Sequence, residues 1–224
     1  MSPPLAIALL WLAFALTHMG LSSLPVRGRL VAAIGEGAFL GFYSVIALVI
    51  FVPLVRTFFV HKHAGRWLWV LERGPALRWP MYVGMGVVFV LTVAGFARPS
   101  PAGVVPGAAR VVGVYRLTRH PLFMAIAIFG LLHCLPNGTV GDVAFFGGGA
   151  LFAVIGAWHQ DRRKLALDVP GYREFHAATP FLPFTGRETL RGLRELSPVV
   201  VAVGLVVTVI VRWFHPRWFG GFVG

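Results

Sequence analysis

The sequence predicts an all-α fold: a polytopic bundle of about six transmembrane helices in a single membrane domain, residues 1–224, with a short helical segment before the last span. Three observations carry this expectation. Of the 224 residues, 57% are hydrophobic and only 12% are charged, whereas a water-soluble domain carries roughly a quarter charged residues. Mean hydropathy is +0.78. The charges gather between apolar runs, and the runs are as long as a helix needs to cross a bilayer.

Charge spacing marks each span. Nothing charged precedes Arg27, which leaves 26 residues. Glu36 to Arg56 and Arg78 to Arg98 each enclose 19 residues, His120 to Asp142 encloses 21, Asp142 to Asp161 18, and Glu195 to Arg212 16. A hydrocarbon core of about 30 Å asks for about 20 residues, with a working minimum near 17. The last run fits if Arg212 extends to the interface. Runs of this length are helices, because only a helix satisfies its own backbone in lipid. The C-terminal span is expected over about 198–214.

Punctuation agrees. Pro4, Pro80, Pro121 and Pro198 head their runs, where the missing N–H costs nothing. Ser197 and Asp142 have the chemistry of N-caps. Pro53 should kink or end the second run. Gly37 and Gly41 have the spacing of a close helix contact, and Gly147, Gly148, Gly149 and Ala153 suggest another. Between Arg98 and Arg119 there are too many breakers for a seventh span.

The net charge of +12 does not mark a nucleic-acid protein. Its basic residues sit in the breaks between runs rather than along one face, where they read as flanks that orient the chain in a lipid bilayer. Lys and Arg number 13 in the odd loops and 7 on the other side. That bias puts the odd loops in the cytoplasm and both termini outside, as in a bacterial inner membrane. Residues 1–26 lack the basic start of a cleavable signal, so the first run reads as a span. Cys134 is the single cysteine, which excludes an intramolecular disulfide.

Phosphate-loop, CxxC, HExxH and GxSxG motifs are absent, so histidines carry the candidate chemistry. His18 and His133 lie within apolar runs, where an ionisable group is a site candidate by default. Two imidazoles from facing helices can ligate a haem iron; the bland alternative is a histidine hydrogen-bonded between helices. Arg119 and His120 open a helix at Pro121, where the dipole and free N–H groups favour an anion. The alternative is a positively flanked helix start. His159, Asp161, Arg162, Arg163 and Lys164 leave the fifth run together, either as an interfacial helix or as a cap over a polar cavity near His120 and His159.

The segments RLTRHPLFMA, LLHCLPNGTVGDVAFFGGGAL, GAWHQDRRKLA and YREFHAATPFLPF, with ALTHMGLSSLPVRGRL and FARPSPAG before them, resemble the NnrU family of membrane proteins over most of Phe14 to Phe184. Met19 and Arg98 depart from the family's usual Ser and Asn. The resemblance implies a link to denitrification and nitric oxide handling. It also implies kinship with 15-cis-ζ-carotene isomerases, whose haem b ligands correspond by motif to His18 and His133. The sequence itself names no substrate, since its apolar residues would suit a small apolar, lipid-like or thiol molecule alike. The same layout is similar to isoprenylcysteine carboxyl and thiol methyltransferases, which implies S-adenosylmethionine against Arg119, His120, His159, Asp161 and Arg162; their Glu-Glu pair is missing here. A non-catalytic assembly factor is a further alternative. With six spans, His18 lies about 10 Å and His133 about 18 Å from the cytoplasmic ends of their helices at 1.5 Å per residue, an offset that one iron would have to bridge.

Overall fold

The computed structural model describes residues 1–72, 74–103 and 107–220. Among them there is no strand, only one isolated bridge between Trp67 and Thr139. Five helices are long and apolar enough to cross a membrane, and a sixth apolar helix is shorter. The chain is an all-α membrane bundle, as its composition demands.

In chain order the helices are α1 (Pro3–Ser22), α2 (Leu24–Ile34), α3 (Glu36–Val60), α4 (Pro75–Ala97), α5 (Val114–Leu117), α6 (Pro121–Cys134), α7 (Val140–Asp142), α8 (Gly148–Ala166), α9 (Tyr172–Ala178), α10 (Thr189–Arg194) and α11 (Pro198–Phe219). A π-helical turn, Val143–Gly147, joins α7 to α8, and the whole from Val140 to Ala166 is one apolar helix of 27 residues. The five long helices leave Leu12, Leu48, Val83, Leu151 and Val206 exposed, a surface that suits lipid rather than water.

Several boundaries differ from the sequence expectation. α3 runs through Pro53 without a break, which a membrane helix tolerates when the freed carbonyl finds other partners. α4 begins at Pro75 and holds Pro80 inside. Thr139, not Asp142, is the N-cap of α7: its hydroxyl accepts from the Asp142 N–H. α6 is 14 residues long and stops at Cys134, because Pro136, Asn137 and Gly138 turn the chain. His133 therefore stands in the last turn of its helix rather than in mid-span.

The contacts divide into two units. The first holds residues 1–71 and 133–152. Ile7, Leu54 and Phe58 form its core with Trp11, Phe145 and Phe146 packed against them, and Phe58 stacks on Phe145 at 3.9 Å. Gly37 and Gly41 face open space, so the close contact expected at them is not made among the described residues. The glycines after the π turn do make one. A Cβ at Gly148 would stand 2.4 Å from the Trp11 ring.

The second unit holds residues 72–132 and 153–224. α4 packs along α11, and Val88, Leu91, Tyr115, Tyr172 and Phe175 are buried at its core. Glu195 ties the polar end together. It accepts from the Gly113 N–H at 2.8 Å and from Arg116 Nε at 2.8 Å, and these donors hold its carboxyl down at about 2. Arg116 also pairs with Glu188.

Candidate functional site

Two groups of chemically capable side chains emerge, one in each unit. In the second unit the segment before α6 is extended at Thr118 and runs beside residues 179–184. Thr118 donates its hydroxyl to Phe181 O at 2.7 Å, the Arg119 N–H bonds to Pro180 O at 2.9 Å, and the Phe184 N–H bonds to Leu117 O at 3.0 Å. That pairing turns Arg119 and His120 inward, onto Asp161 of α8.

Asp161 is the hub. One carboxylate oxygen meets His120 Nε2 at 2.6 Å and accepts the Tyr172 hydroxyl at 2.5 Å. The other accepts from Arg119 Nε and Nη2, each at 2.8 Å, with His176 Nε2 at 3.6 Å. Arg119 also donates to Thr179 O at 2.8 Å and lies over the Phe181 ring. Asp161, Arg119 and His120 are all buried. Burial pulls the His120 imidazole below its ordinary range, with Asp161 opposing. Burial, then Asp161 itself, pushes the Tyr172 hydroxyl up, so it remains a donor. Burial also lowers His176.

Sequence reasoning placed an anion at Arg119 and His120. The structure supplies that anion from within: it is Asp161. Three of the five residues nominated for a bound cofactor thus bind one another, while His120 Nδ1 is buried without a hydrogen-bond partner among the described residues. Arg162 is exposed and lies over the Trp158 ring at 4.9 Å. His159, half-buried, precedes Asp161 by two residues and so points about 200° around α8 from it. His176 and Thr179 were missed. Tyr172 had a signal: it follows Pro170-Gly171, the turn that sends α9 back towards α8.

In the first unit, His18 and His133 are half-buried among aromatic rings. His18 stacks on Phe14 at 5.0 Å, meets Tyr43 at 4.6 Å and Phe152 edge-on at 5.6 Å. His133 stacks on Phe146 at 4.9 Å, and its carbonyl accepts from Asn137 Nδ2 at 2.8 Å. Two imidazoles beside aromatic rings have the donor chemistry that haem iron takes, and the residues fit the group in that respect. Their ring contacts, Phe146 and Phe152, are six residues apart on one helix, a rise of about 9 Å. The depth offset expected from the sequence thus reappears in the packing.

Such a chain, all-helical among the described residues and apolar enough to span a bilayer several times, is a polytopic integral membrane protein. It belongs to the NnrU family, whose description, NnrU protein, matches residues 6–222. It is similar to the chloroplastic 15-cis-zeta-carotene isomerase of Arabidopsis thaliana, at 29% identity over 201 residues, covering 84% of this chain and 53% of that protein. Against the Zea mays protein of the same name the identity is 26%, with the same coverage. The chain thus spans about half the length of the curated relatives it matches. No solved structure matches it significantly.

Proposed function

We propose that this NnrU-family protein binds haem b through His18 and His133 and acts on a small apolar or lipid-like substrate by redox isomerisation. The observation that carries the reading is the pair itself: both histidines fall in one unit, each against aromatic rings. The relatives are named isomerases of a carotene, which suits an apolar substrate. Haem, when bound, supplies one-electron iron chemistry. The chain's part is to present two neutral imidazoles, to keep water away with Phe14, Tyr43, Phe146 and Phe152, and to deliver an apolar molecule from lipid.

A role in nitrogen-oxide metabolism of the denitrification type would use the same pair. S-adenosylmethionine binding would instead require Arg119 and Asp161 to part, and the closed carboxylate gives that alternative no support. The proposed setting is a bacterial inner membrane with the odd loops in the cytoplasm and both termini outside.

Purified protein should show a Soret band and low-spin bis-histidine electron paramagnetic resonance. His18→Ala and His133→Ala should each abolish the low-spin signal. If both variants keep the wild-type spectrum, the ligand assignment is wrong. A colourless protein that binds S-adenosylmethionine would replace the whole reading, and one that binds neither would point to an assembly factor.

A further inference from the structure

The loop after α3 folds back over the turn that precedes α7. Its backbone is pinned there. The Gly141 N–H bonds to Ala64 O at 2.9 Å, the Val140 N–H to Arg66 O at 3.1 Å and the Leu68 N–H to Gly138 O at 2.8 Å. The Trp69 indole N–H reaches the carbonyls of Cys134 and Leu135, each at 3.1 Å. Position 138 must be glycine for this, since a Cβ would stand 2.2 Å from Trp69 O. Within the pinned loop His63 takes a left-handed conformation, φ 57°, which a non-glycine residue adopts only when its surroundings impose it.

That conformation sets His63 Nδ1 2.9 Å from Asp142 Oδ2. Asp142 is fully buried, and the His63 side chain is 48% exposed. The pair therefore has one wet end and one dry end. Asp142 Oδ2 also accepts the Thr139 hydroxyl at 2.6 Å. The other oxygen, Oδ1, is buried and without a hydrogen-bond partner. Asp161 is neutralised by Arg119; among the described residues Asp142 has only the His63 imidazole as an ion-pair partner. A buried carboxylate so poorly matched is expensive as a mere fastener, and one in a membrane helix is by default functional. It also directly precedes the π turn, a feature that gathers at functional sites. One turn further on, Phe146 stacks on His133.

We propose that His63 and Asp142 are a proton-exchange pair connecting the exposed loop with the aromatic interior of the first unit. It rests on the reading that this unit holds the reacting centre. Water delivers a proton to His63 Nε2, making the imidazolium. The Nδ1 proton passes to Asp142 Oδ2, leaving a neutral imidazole and a neutral carboxylic acid. The acid gives its proton to a base formed during reaction, the carboxylate returns, and the imidazole goes back from its Nε2–H to its Nδ1–H tautomer by proton exchange with water before the next cycle. Run backwards, the same steps carry a proton out. One proton moves, only N–H and O–H bonds change, and no electrons are exchanged. The groups that face Asp142 are the His63 imidazole and Thr139 hydroxyl, with the Cys134 thiol within electrostatic reach. The rest of the loop brings His61, Lys62 and Arg66, and α1 brings no ionisable side chain before His18.

Infrared difference spectroscopy of the full chain in lipid nanodiscs, acidified from pH about 9 to about 4, tests the pair without any cofactor. A buried carboxylic-acid band should grow in, vanish in Asp142→Asn, and change in frequency or amplitude in His63→Ala, which removes its hydrogen-bond donor. If Asp142→Asn fails to fold, the response of the wild-type band to His63→Ala makes the assignment. A wild type with no such band, or a band that ignores His63→Ala, overturns the proposal and leaves the pair a structural fastener. Haem spectra are independent of this outcome, so the pair and the ligand assignment fail separately.

Discussion

Trp11 donates its indole N–H to the carbonyl of Phe145 at 3.0 Å. Phe145 lies in the π turn, where the backbone ladder is irregular and a side chain from another helix can take a carbonyl. The indole reaches it because Gly148 and Gly149 lie under the ring. A tryptophan, a π turn and a glycine run are thus one device.

Gly148→Ala should break that device. Its Cβ would meet the Trp11 ring at 2.4 Å, an overlap worth about 1–3 kcal/mol of strain. A lower melting temperature in detergent and a shifted Trp11 emission are expected. Wild-type values for both would mean that the ring moves freely.

Arg119→Ala should destabilise the fold by about 3–5 kcal/mol, because it strands Asp161 as a buried charge without its cation. The double variant Arg119→Met, Asp161→Asn should lose less than the sum of the single losses. Both are read by thermal unfolding in detergent. A stable Arg119→Ala protein that has lost affinity for a small anion would instead return the turn to ligand binding.

Acid should weaken the second unit near neutrality. His120 and His176 are both held below the ordinary value of 6.5 in the fold. The unfolded chain therefore takes up protons first, and stability rises with pH through that window. Their contribution is complete above about 6.5 and is lost as pH falls towards the folded values. Melting temperature should drop between pH about 7.5 and 5, and His120→Gln should flatten part of the slope. A melting temperature that holds or rises on acidification would contradict this.

Orientation is open to labelling. In a Cys134→Ser background, Arg173→Cys is exposed (the Arg173 side chain is 70% accessible) and lies in an odd loop. It should react with an impermeant maleimide only from the cytoplasmic side. Reaction from outside alone would invert the topology.

Much of the fold was legible in the primary structure. Charges spaced about 20 residues apart delimit helices regardless of how those helices pack, since the constraint is lipid thickness. Starts at Pro121 and Pro198 follow from proline chemistry. Errors fell where a neighbour overrode the local signal. Thr139 took the cap that Asp142 was expected to provide.

The site was only half legible. Arg119, His120 and Asp161 stood out as ionisable groups beside apolar runs, and His18 and His133 as imidazoles within them. That Asp161 answers Arg119 across 42 residues, or that His63 answers Asp142 across 79, has no local signature. The chain by itself determined that these groups are there and that lipid surrounds the helices, because composition and spacing act through the solvent. Tertiary structure alone decided which charge meets which, because a buried carboxylate is matched by whatever donor the packing brings within about 3 Å.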